Sequence, residues 1–138
     1  MAQLAFTPNT KKITIYQDFK KNLEKSPVSA DLTLWKDEDA VKESIKNLIL
    51  TDRGERLMKP NLGGNIRAML FENITPGILK LIEDRVESTI QLYEPRAELV
   101  EVTASSNIDD NKVSVKIVFY VRNVQQPITL DVFLERTR

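Results

Sequence analysis

The sequence predicts an α+β fold, with N-terminal helices packed on one face of a small, mainly antiparallel three-stranded C-terminal sheet. Two observations carry this. Between Thr75 and Tyr93 apolar residues recur at helical spacing, and after Arg96 the repeat changes to alternation in successive runs separated by turn residues. Helices followed by a block of strands, with no interleaving of the two, describe helices gathered on one side of an antiparallel meander. The 138 residues suffice for one core and are too few for two ordinary ones. They divide into an N-terminal arm, residues 1–36, and a single α+β domain, residues 37–138.

The arm carries short apolar clusters, Ile13, Ile15, Tyr16 and Phe19, then Leu32, Leu34 and Trp35, separated by charged stretches. It reads as one or two short extended pieces. Asp37 is placed to cap a helix of about residues 37–51, whose apolar face is Val41, Ile45, Leu48 and Ile49. Gly54, Pro60 and Gly63-Gly64 then punctuate a loop, after which Ile66, Met69 and Leu70 mark one or two helical turns.

Thr75-Pro76 is a strong start signal, since a threonine oxygen accepts from free amides and proline fits the first helical position. The helix it opens runs to Tyr93. Ile78, Leu79, Ile82, Val86, Thr89, Ile90 and Tyr93 share one face, and Lys80, Glu83, Asp84, Glu87 and Gln91 the opposite one. In the first strand Val100, Val102 and Ala104 alternate with Leu99, Glu101 and Thr103. N-I-D-D-N supplies a turn, Val113 to Val121 gives an unbroken alternation, and Ile128, Leu130, Val132 and Leu134 form the third run. A sheet this small has two edges, which bulges, charges and the N-terminal arm either cover or leave open to a strand of another chain.

Composition removes most catalytic chemistry. There is no cysteine and no histidine, which excludes thiolate nucleophiles, Ser-His and Cys-His pairs and the commonest zinc ligands. Twenty Lys plus Arg balance twenty Asp plus Glu, so no global field draws the chain to nucleic acid or an anionic membrane. The N-terminus lacks the pattern of a signal peptide, and no apolar run has the length of a membrane span. A soluble protein made in a cytoplasm, without a cofactor or metal, is expected.

The stretch Y-E-P-R, residues 93–96, lies where the helical period stops. A glutamate at a helix C-terminus costs about 0.3–1 kcal/mol against the helix dipole, whereas Arg96 suits it. Pro95 stops the helix and biases Glu94 toward extended backbone, so Glu94 and Arg96 project together. One reading is a local ion pair, contributing about 0–1 kcal/mol if exposed. The other is a docking point, in which the two make bidentate contacts to other segments or other chains.

L-T-D-R-G-E-R (50–56), the Pro60-x-x-Gly63 spacing, A-M-L-F-E-N-I-T-P (68–76) and I-Q-L-Y-E-P-R (90–96), in that order, resemble the baseplate wedge family of contractile phage tails. That family is often labelled lysozyme-like and is similar to a baseplate subunit of type VI secretion systems. The resemblance covers roughly residues 37–135, and Tyr16-x-Asp18 and Leu32–Trp35 in the arm are weakly similar. It implies a structural, non-enzymatic subunit of the virion tail baseplate, assembled in the host cytoplasm, that initiates the tail sheath by strand exchange with the sheath protein.

Its implied partners are helices of other wedge proteins, the tail sheath protein, and tube or hub proteins; nucleic acid and membrane are not among them. The implied contact residues are Tyr93, Glu94, Pro95 and Arg96, with Gly54, Glu55 and Arg56 of the G-E-R motif. Two features depart from the family. Its members commonly carry an acidic or aromatic residue and one glycine where this chain reads P-N-L-G-G-N, and the arm here is rich in lysine (Lys11, Lys12, Lys20, Lys21, Lys25).

Two alternatives stand beside this reading. Peptidoglycan hydrolysis needs two carboxylates flanking one bond, one of them kept protonated. Glu72 and Glu94 are the best candidates, but Arg96 beside Glu94 favours the ionised form. Glu83, Asp84 and Glu87 read as a solvated face paired with Lys80, and Asp109-Asp110 as turn chemistry. The second alternative is a binding regulator like a bacterial anti-adaptor of similar fold, which lacks the Y-E-P-R and G-E-R signatures.

Overall fold

The computed structural model describes residues 14–28, 30–107, 112–122 and 124–135. Ile13, Lys11 and Lys12 of the arm, the N-I-D-D-N turn apart from its first asparagine, and with it Asp109-Asp110, lie outside the described residues. The chain order is β1 (Gln17–Phe19), β2 (Leu34–Lys36), α1 (Glu38–Leu50), α2 (Ile66–Leu70), α3 (Pro76–Tyr93), β3 (Ala97–Asn107), β4 (Lys112–Val121) and β5 (Ile128–Glu135).

The arm's two extended pieces pair with each other, Gln17 opposite Lys36 and Phe19 opposite Leu34. The C-terminal strands form an antiparallel sheet in the order β3-β4-β5. Strict alternation along β4 buries Val113, Val115, Ile117, Phe119 and Val121. These side chains meet Val41, Ile45 and Ile49 of α1, Ile66 and Leu70 of α2, and Ile82, Val86 and Ile90 of α3 in one core. The helices therefore cover one face of the sheet, an arrangement that removes the apolar stripes of all three from water together.

α3 has the predicted bounds. The Thr75 side chain accepts from the Ile78 amide, and proline occupies the first turn. Three expectations need correction. Asp37 sits at the start of α1 but its side chain does not cap it. Its Oδ1 instead accepts the amides of Ile15 (2.8 Å) and Tyr16 (3.3 Å), tying the arm to the helix.

Val100 does not join Val102 and Ala104. A register shift between Leu99 and Glu101 inserts one extra residue into the ladder, which inverts the parity on its far side. Leu99 packs on the core and Val100 points to solvent. Glu83, finally, is not simply part of a solvated face. While Lys80 holds one of its oxygens, the other, Oε1, accepts the Ala104 amide of β3 at 2.8 Å.

Candidate docking corner

α3 ends because Pro95 has no amide to continue it. Glu94 closes the last turn by donating its N–H to the Ile90 carbonyl, and Ala97 donates back to the Glu94 carbonyl at 3.2 Å. This tight reversal points the Glu94 side chain inward, where it is only 3% exposed. A buried carboxylate requires donors, and three are present. Arg96 supplies Nε to Oε1 (2.5 Å) and Nη2 to Oε2 (2.7 Å), and Ser44 of α1 donates its hydroxyl to Oε2 at 2.5 Å.

Burial by itself would raise the Glu94 pKa. The hydrogen bonds from Arg96 and Ser44, with the Arg96 charge, outweigh it and hold the carboxyl below its ordinary range. Arg96 is correspondingly raised by its bond to Glu94. Its guanidinium, 31% exposed, also lies over the Tyr16 ring, 5.5 Å from the centroid. The corner thus joins α1, the end of α3, the start of β3 and the arm.

The G-E-R loop is braced beside it. Gly54, at φ 87°, donates its amide to the Pro60 carbonyl at 2.8 Å, a conformation glycine adopts without a Cβ penalty. Glu55 accepts the Asp52 amide at 3.0 Å, and Arg53 Nε donates to the Gly63 carbonyl at 3.4 Å. Tyr93 donates its hydroxyl to the Asn61 carbonyl at 2.7 Å. Arg56 and Ser44 line one pocket of about 260 Å³ with Asp18, Asn47 and Lys59. Ser44 of α1 thus neighbours one residue of each sequence-predicted cluster, bonding Glu94 and sharing a pocket with Arg56.

Among the described residues no group of acidic side chains is arranged to hold a metal ion. Glu72, the other carboxylate considered for hydrolysis, is exposed on the turn after α2.

A family model described as baseplate wedge protein gp25 matches residues 36–126, well over half of the chain. The chain belongs to this family. Baseplate wedge protein gp25 of Enterobacteria phage T4 is 34% identical over 82 residues, which cover 59% of this chain and 62% of that protein. A protein of Geobacter sulfurreducens, provisionally named a tail lysozyme, superposes with a TM-score of 0.70 at 32% identity over 78% of this chain and 97% of its own.

A chain of the anti-feeding prophage baseplate superposes at a TM-score of 0.61, with 25% identity over 89% of this chain and 87% of its own. The type VI secretion baseplate complex contains a chain of the same fold, with a TM-score of 0.56 at 15% identity over 69% of this chain and 91% of that one.

In this baseplate wedge family member, sequence reasoning missed four participants in the corner: Ser44, Tyr16, Asn61 and the tethering role of Asp37. Ser44 had a readable signal. It lies three residues after Val41 and four before Leu48, so a polar side chain occupies the apolar stripe of α1. The others had none, because their partners are distant in sequence.

Proposed function

We propose that this chain is a structural subunit of a contractile-tail baseplate, docked onto helices of other wedge proteins through the corner at Tyr93–Arg96 and the loop at Gly54–Arg56, and that its sheet starts the sheath by accepting a strand from the sheath protein. Family membership supports the wedge assignment. The observation that supports strand acceptance is the inequality of the two sheet edges. Glu83 occupies an outward amide of β3, whereas among the described residues no hydrogen bond is made to the outer side of β5.

Beside β5 runs an open groove of about 480 Å³ lined by Leu50, Leu70, Phe71, Phe133 and Leu134, with Arg67 and Glu135 among them. An unpaired edge beside a groove that offers apolar side chains together with one cation and one carboxylate suits strand addition, with backbone bonds giving affinity and alternate side chains entering the groove. The incoming strand is therefore assigned to β5.

The test is Phe133→Lys, placing a charge on that rim. Phe133 is 66% exposed, so the variant folds and enters baseplates, and sheath fails to grow on them. Sheaths of normal length on these baseplates, or a cryo-microscopy map with the added strand on β3, overturn the assignment. A hydrolytic role is opposed by Glu94: a carboxylate clasped by Arg96 and held below its ordinary pKa is a poor general acid.

A further inference from the structure

Leu57 and Met58, next to the G-E-R motif, are 100% and 95% exposed. Two adjacent large apolar side chains held entirely in water mark a surface in want of a partner more than a tolerated accident. The loop that presents them is fixed. Besides the bond from Gly54 to Pro60, Lys59 donates its amide to the Arg56 carbonyl at 3.2 Å and Leu62 to the Lys59 carbonyl at 3.1 Å. The bond from Tyr93 to Asn61 anchors its base to α3. A pre-ordered tip gives up little chain entropy on docking.

Arg56 and Lys59 flank the pair on both sides, and neither has an ion-pair partner among the described residues. The tip is thus an apolar peg with a basic collar on a chain of zero net charge. Its complement is an apolar cleft rimmed by carboxylates.

We propose that Leu57 and Met58 form a second docking element that seats in such an acidic-rimmed cleft on a neighbouring wedge subunit, with Arg56 and Lys59 pairing to the rim. The proposal rests on the wedge reading above. Two side chains and two cations are too few to hold a bilayer, and the acidic stretch on α3 that a second copy would offer is already engaged by Lys80.

The experiment co-expresses the chain with the other wedge proteins of its baseplate and compares wild type, Leu57→Ser/Met58→Ser and Lys59→Glu, together with a wild-type background carrying photoreactive p-benzoylphenylalanine in place of Met58. The double variant should keep the wild-type melting temperature and bind the wedge assembly at least about tenfold more weakly. Lys59→Glu should weaken binding most at low salt. The crosslink should map to an apolar segment of a wedge subunit bordered by Asp or Glu. Binding of the double variant within about twofold of wild type, or crosslinks to a second copy, to lipid or to a basic surface, overturns this inference alone. Failure of wild type itself to join the assembly overturns the wedge reading and this inference with it.

Discussion

Glu83 on α3 and Ala104 on β3 are joined by a 2.8 Å hydrogen bond from the Ala104 amide to the Glu83 carboxylate. The bond closes part of the β3 edge and ties α3 to it. Lys80 neutralises the same carboxylate from one helical turn earlier, at 3.2 Å.

Glu83→Ala removes a charge-assisted acceptor and should destabilise the fold by about 1–2 kcal/mol. Urea denaturation measures the loss. Hydrogen exchange should quicken at Ala104 and stay unchanged in the middle of β4; unchanged exchange at Ala104 would show that the amide has another acceptor.

Arg96→Ala leaves Glu94 buried with Ser44 alone. An exposed pair would contribute at most about 1 kcal/mol, but stranding a buried carboxylate costs more, here about 1–3 kcal/mol after allowing for the partial exposure of Arg96. Adding Glu94→Leu to this variant should recover part of that loss, since no charge is then left unpaired. Denaturant midpoints of the single and double variants decide it.

Acid should weaken the corner. The folded-state pKa of Glu94 lies below its ordinary value of 4.5, so the unfolded chain takes up the proton first. The stabilisation is complete above about pH 4.5 and is lost as pH falls from there through the depressed folded value. Melting temperatures measured between pH 7 and pH 3 should therefore drop more steeply for wild type than for Glu94→Gln.

The glycines of the loop should differ in tolerance. At Gly63, φ is 111° and a Cβ would collide with the Thr51 carbonyl oxygen. Gly63→Ala should cost above about 3 kcal/mol, adding overpacking to left-handed strain. At Gly54, φ is 87° but a Cβ meets nothing, so Gly54→Ala should cost only about 1–2 kcal/mol. Parallel denaturation of the two variants compares them.

What the sequence determined by itself is local. The bounds of α3 follow from Thr75-Pro76 and Pro95, the face of α1 from Val41, Ile45, Leu48 and Ile49, and the buried row of β4 from its unbroken alternation. Periodicity and capping are set by neighbours a few residues apart, so one chain suffices to read them. Tertiary structure decided the rest. One extra residue near Val100 reversed a strand's inward face, Asp37 gave up a cap for the arm, and Glu83 found an amide twenty-one residues away. In the clasp of Ser44, Glu94 and Arg96, the bond from Ser44 to Glu94 spans fifty residues. A charged side chain takes whichever partner packing brings within about 3 Å, and only the folded arrangement of helices on the sheet fixes which one that is.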